Sequence, residues 1–133
     1  MAALDLEGIA QKHGIRLLLQ FGSTVGGQVH AKSDVDLAVL LEQLTPTFRQ
    51  HAELLHDLQC LFPDREVDLA ILNHADPLFL KKVMETCRLL HGSPADLRRL
   101  QLSAFKRYHD YRRYLDLERR FVAQAVARMA GRG

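Results

Sequence analysis

Three carboxylates and one Gly-Ser pair stand where phosphate chemistry would need them. Phe21-Gly22-Ser23 closes the apolar run Ile15–Phe21, and ten residues later Asp34-Val35-Asp36 opens a second run, Leu37–Leu41. A third run, Glu66–Leu72, carries Asp68. Acids two apart on a strand point to the same side. An acid on the next strand, about 4.8 Å away, can complete a triangle with them. Three such carboxylates repel one another and are costly to bury unpaired. A divalent cation removes that cost, and oxygen-only ligands suit Mg²⁺ or Mn²⁺ rather than Zn²⁺. Two ions would hold the attacking and leaving oxygens of an in-line phosphoryl displacement.

The Gly-Ser pair supplies the phosphate side. Glycine after a strand lets backbone approach a phosphate closely. Ser23 would begin a short helix whose free amides favour anions, and its hydroxyl can donate to a phosphate oxygen. There is no G-K-[ST], so the phosphate charge must be met mainly by metal. Each piece alone has a plainer reading. An isolated D-x-D is usually a turn or a solvated edge, and Asp68 could pair with Arg65 or Lys32. His30 and Lys32 read as solvated loop.

The elements that must position these residues are legible in the spacing. A short helix over Leu4–His13 stops at Gly14, and Ile15–Phe21 reads as a strand with Ile15, Leu17, Leu19 and Phe21 on one face. Asp34–Leu41 and Glu66–Leu72 read as neighbouring strands. Val35-Asp36-Leu37-Ala38-Val39-Leu40 closely matches Val67-Asp68-Leu69-Ala70-Ile71-Leu72. Val35, Leu37, Val39 and Leu41 then face one side with Val67, Leu69 and Ile71. The acids face the other, and the alanines next to them leave room above the sheet. Between these strands a helix is predicted with Thr45 as cap and Pro46 at its first position, running to about Leu61. Asp76-Pro77 opens a helix through about Thr86, Arg88–His91 reads as an edge strand, and Ser93-Pro94 opens a long final helix. Its apolar positions, from Leu97 and Leu100 to Val126 and Met129, keep helical spacing. Alternating short strands and helices predict an α/β (α+β) fold with helices packed on a sheet.

The 133 residues suffice for one domain, with 1–92 as the core and 93–133 as an amphipathic helix. An apolar share of 47% and a charged share of 26% are those of a soluble globular chain. No apolar run is long enough for a membrane span. Acids among the first seven residues argue against a signal peptide. Cys60 and Cys87 show no C-x-x-C spacing and read as small buried thiols in a reducing cytoplasm. The histidines show no metal-ligand spacing. Charge is unevenly spread. Residues 1–94 hold 8 Lys/Arg against 12 Asp/Glu, and residues 95–133 hold 10 against 4. The basic part carries arginine and lysine pairs at 98/99, 106/107, 112/113 and 119/120, which form either a solvated face or a surface for an acidic partner.

Phe21-Gly22-Ser23, Asp34-Val35-Asp36 and the later Asp68 resemble the signature of the DNA polymerase β-like nucleotidyltransferase superfamily. The size, and Arg88–Gly92 followed by a helix with Tyr108 and Asp110, resemble its minimal nucleotidyltransferase (MNT) subgroup. That resemblance implies a nucleotidyltransferase fold with a short, mixed, twisted sheet. It implies transfer of AMP or another nucleoside monophosphate from ATP or another NTP to a hydroxyl. Asp34 and Asp36 would bind both Mg²⁺ ions, with Mn²⁺ as a substitute. Asp68 would bind the catalytic ion and help deprotonate the acceptor, while Gly22 and Ser23 would hold the triphosphate. Many minimal members are antitoxins paired with a helical HEPN ribonuclease, which studied cases neutralise by adding AMP to a tyrosine. Many relatives also carry an arginine soon after the Gly-Ser pair, where this chain has Thr24-Val25-Gly26-Gly27. Two other functions compete. One is antitoxin action by binding alone. The other is transfer to a small molecule of the aminoglycoside type, which needs a dimer to build the acceptor site. Self-association is a further expectation from the long final helix, and nucleic-acid binding ranks below protein contact.

Overall fold

The computed structural model describes residues 5–22 and 34–131. Helix α1 (Leu6–His13) is capped by the Asp5 carboxylate, which accepts from Gly8 N–H at 2.8 Å, and it ends at Gly14. Strand β1 (Ile15–Phe21) follows, then β2 (Val35–Leu41), α2 (Phe48–Cys60), β3 (Val67–Ile71), α3 (Pro77–Thr86), the short β4 (Arg88–His91) and α4 (Pro94–Ala130). The four strands form one mixed sheet in the order β3-β2-β1-β4. β1 runs antiparallel to both β2 and β4, whereas β2 and β3 are parallel.

Helices cover both faces of the sheet. Val35, Leu37, Val39 and Leu41 of β2 pack with Val67 of β3, Leu18 of β1, Ile9 of α1, and Leu54 and Leu58 of α2. On the other face Leu19, Ala38 and Leu72 pack beneath Leu80 and Val83 of α3 and Ala104 of α4. The alternation predicted for β2 and β3 therefore holds. The room expected above the alanines does not exist, because α3 and α4 fill it and Ala38 is fully buried. Small residues there let two helices sit close to the sheet. Strand β1 breaks the simple alternation too. Its register against β2 shifts between Ile15 and Leu17, so Ile15 and Leu18 share one core while Leu19 and Phe21 join the other.

Three helix starts test the capping logic. α3 and α4 begin as read, capped by Asp76 and Ser93 with proline in the first turn. α2 begins two residues later than predicted. Thr47, not Thr45, is the cap, because Gln50 completes a reciprocal box. Gln50 N–H donates to Thr47 Oγ1 at 3.1 Å, and Thr47 N–H donates to Gln50 Oε1 at 2.8 Å. The cysteine reading also needs correction, since Cys60 is exposed and Cys87 is only partly buried.

Three polar clips hold the ends. Gln59 of α2 donates to the carbonyls of Phe62 and Arg65 and accepts from Val67 N–H at 2.9 Å, pinning the chain just before Asp68. Asn73 exchanges two hydrogen bonds with Leu41, at 2.9 and 2.7 Å, and closes the opposite end of β2. Between α1 and α2, Asp57 takes His13 Nε2 at 2.6 Å and Lys12 Nζ at 2.9 Å. At the root of α4, Gly92 has φ 119°, and a Cβ there would meet Arg16 O at 2.5 Å and a Leu17 methyl at 2.7 Å. Only glycine fits that crossing.

Candidate active site

The sheet register builds the site. Phe21 on β1 pairs with Asp36 on β2, and Asp36 pairs with Asp68 on β3. One row across three strands is therefore Phe21, Asp36 and Asp68, with Gly22 directly after Phe21. Parallel partners in register direct their side chains to the same face, so Asp36 and Asp68 stand side by side. Asp34 lies one residue before β2. Val35 N–H donates to Glu66 O at 2.8 Å, which ties the start of β2 to the entry of β3. Asp34 and Asp68 are exposed, while Asp36 is half-buried.

Gly22 fits against Asp36. Its φ is 82°, and a Cβ at this position would collide with Asp36 Oδ2 and stand 3.3 Å from Cγ. The absent side chain thus makes room for the carboxylate. Next to it, the Phe21 ring meets Phe79 of α3 edge-on, with centroids 5.8 Å apart. This contact brings the start of α3 to the flank of the site.

The electrostatics are those of acids left uncompensated. Burial pushes the Asp36 carboxyl above the ordinary carboxylate value, and the charges of Asp68 and then Asp34 push it further. No lysine or arginine forms an ion pair with these three acids among the described residues. Nor do any three His, Cys, Asp or Glu side chains, among the described residues, already form a metal-ligating group. The donor set is all carboxylate oxygen, which fits a hard divalent cation. Ser23, the other predicted phosphate contact, lies outside the described residues, as do Thr24–Gly27, His30 and Lys32.

A cavity of 360 Å³ lies elsewhere, at the Leu41 end of β2, lined by Lys12, His13, Glu42, Gln50 and Glu53 among others. Its mixed charges give no cradle for a polyphosphate. Sequence reading missed Gln59, which pins the approach to Asp68, and the Phe21–Phe79 contact. A glutamine two residues before a turn carries no pattern that marks it in advance. Among the described residues, no helix is long and apolar enough to cross a membrane.

Residues 5–95 match the family described as polymerase beta, nucleotidyltransferase. No curated protein matches the sequence. Among solved structures, a toxin–antitoxin with AMP-PNP is 26% identical, with 90% of this chain and 93% of that chain covered and a TM-score of 0.68. A tri-AMPylated Shewanella oneidensis HEPN toxin in complex with MNT antitoxin is 23% identical, covers 90% of each chain and has a TM-score of 0.62. The toxin–antitoxin MntA-HepT is 23% identical over 90% of this chain and 91% of that one, with a TM-score of 0.62.

Proposed function

Because the chain belongs to the polymerase beta nucleotidyltransferase family, we propose that it transfers AMP from ATP to a tyrosine of a HEPN-type helical toxin and so acts as the antitoxin of that pair. The observation that carries this reading is the in-register pair Asp36 and Asp68, with Gly22 fitted against Asp36 and Asp34 two residues before it. The similarity to a toxin–antitoxin with AMP-PNP supports the choice of nucleotide and partner class. Residues 1–92 would form the catalytic core, and 93–133 a helix that serves the partner.

Asp34 and Asp36 would hold two Mg²⁺ ions, and Asp68 one of them. Bound there, the ions would neutralise both the triphosphate and the acids. The chain's own residues then divide the work. Gly22 lets the triphosphate approach the backbone beside Asp36, and Ser23 would donate its hydroxyl to a phosphate oxygen. Asp68, exposed at the open edge, faces the side from which an acceptor arrives and takes its hydroxyl proton. The acceptor oxygen bonds to the α-phosphorus while the bond from that phosphorus to the bridging oxygen breaks, and pyrophosphate leaves. The two-stranded register sets the acids' spacing before substrate arrives, which is where most of the orientation advantage lies.

The test uses the full chain, α-labelled ATP, Mg²⁺ and the helical protein encoded beside it. Label on a partner tyrosine that disappears with Asp34→Ala/Asp36→Ala supports the proposal. Absence of label, or label undiminished in the double variant, overturns it. The uncovered half of α4 favours a second reading, occlusion without catalysis. Full neutralisation of the toxin in cells by the double variant would establish that instead.

A further inference from the structure

Helix α4 is far longer than the domain it packs on. Its 37 residues span roughly 55 Å at 1.5 Å per residue. Leu97, Leu100 and Ala104 enter the second core, and Ala104 is the last fully buried residue of the helix. α3 is the element that covers it, running antiparallel. Lys81 Nζ stands 4.7 Å over the Tyr108 ring, and Met84 and Glu85 line one groove with Gln101 and Ala104. α3 starts only one turn before Lys81, so its cover ends about one turn beyond Tyr108.

The apolar face does not end there. Tyr108, Tyr111, Leu115, Val122, Val126 and Met129 continue the line of Leu97, Leu100 and Ala104 at spacings of three, four or seven. Beyond the domain the face also widens. Leu117 is 64% exposed, Phe121 69% and Tyr114 62%. At 100° per residue these positions cover an arc of roughly 180°, wider than the roughly 100° stripe that one packed neighbour buries. Five arginines against two acids lie in residues 111–131, and Arg112, Arg119 and Arg113 border the arc.

From this we infer that the distal half of α4 docks a helical partner through two of its helices, with an apolar groove and acidic rims. A second copy of this chain would set basic rims against basic rims, so charge favours a different protein. RNA would meet the arginines but leave the apolar arc uncovered. Resting on the function proposed above, the inference also says how the acceptor arrives. The overhang begins beside the start of α3, whose Phe79 touches Phe21 next to Asp36. A partner seated on α4 is therefore held beside the open edge of the acids.

The experiment measures affinity, without nucleotide, between the full chain and the co-expressed helical protein of the neighbouring gene. Val122→Glu/Val126→Glu and, separately, Arg119→Glu/Arg120→Glu should each weaken it at least tenfold. Both should leave the chain's own melting transition and its Mg²⁺-dependent ATP binding unchanged. Undiminished affinity in both variants overturns the inference. So does a dimer of the chain alone that Val122→Glu/Val126→Glu dissolves, or an RNA oligonucleotide bound through the arginines with partner affinity intact. Docking is read without catalysis, so a failed AMP transfer with docking lost in the variants would sink the catalytic proposal alone.

Discussion

Asp57 and Asp36 are the same residue in opposite circumstances. Asp57 sits between two helices, and hydrogen bonds from His13 first and Lys12 second hold its carboxyl below the ordinary value. Asp36 sits at a strand end, where burial and then the charges of Asp68 and Asp34 push its carboxyl up. The first carboxylate is compensated by the fold, so it stabilises the fold. The second is left for something that the fold does not itself provide. Conflict with local stability is a mark of a site under functional demand.

Replacing each acid separates the two circumstances. Asp36→Ala should cut nucleotidyl transfer by more than about 100-fold, the scale of removing a charge-stabilising group from an active site. Transfer of label would measure it. Asp36→Asn, in metal-free buffer, should raise the melting temperature or leave it unchanged, since the neutral amide escapes the repulsion; a clear fall would break the contrast. Gly22→Ala should also lower activity by about tenfold or more, because the new methyl collides with the Asp36 carboxylate. Asp57→Ala should leave transfer intact and cost about 1–2 kcal/mol by denaturant titration, because it strips a mostly buried histidine of its partner.

Acid titration sharpens the same contrast. A depressed carboxyl binds its proton more readily in the unfolded chain. The Asp57 contribution is therefore complete above the ordinary carboxylate value and is lost as pH falls through the depressed one. Asp36 has the reverse sign. Its penalty is present above its raised value and fades as pH drops below it. Thermal melts should therefore show Asp57→Ala losing its deficit against the parent chain at low pH, with Asp36→Asn losing its advantage. The smallest effect belongs to Arg49–Glu53, an exposed pair at 3.3 Å on α2. Glu53→Ala should change stability by less than about 0.5 kcal/mol.

Much of the site was legible because short-range rules produce it. Strand alternation puts Asp36 and Asp68 on one face, and two near-identical hexapeptides imply neighbouring strands with like constraints. Helix caps at Asp76 and Ser93 follow from side-chain chemistry with proline behind it. What was not legible depends on contacts distant in the chain. The shift at Arg16 that moves Leu18 to the first core arises from pairing with β2. From the sequence Ala38 marks open space, and only the packing of α3 and α4 makes it a floor for helices. Thr45 and Thr47 are equivalent as caps until Gln50 is weighed, three residues after one and five after the other. Gln59 bridges two loop carbonyls and a strand amide, a role that exists only once α2 and β3 are in place.

Gly92 seats the base of the long helix against β1. The backbone there passes so close to Arg16 and Leu17 that any side chain would push it aside. A rod of roughly 55 Å magnifies any rotation at its base, and a 10° swing there would carry the far tip by roughly 10 Å. Enlarging that one residue would thus be felt least where it is made and most at the opposite end of the lever, where aim matters.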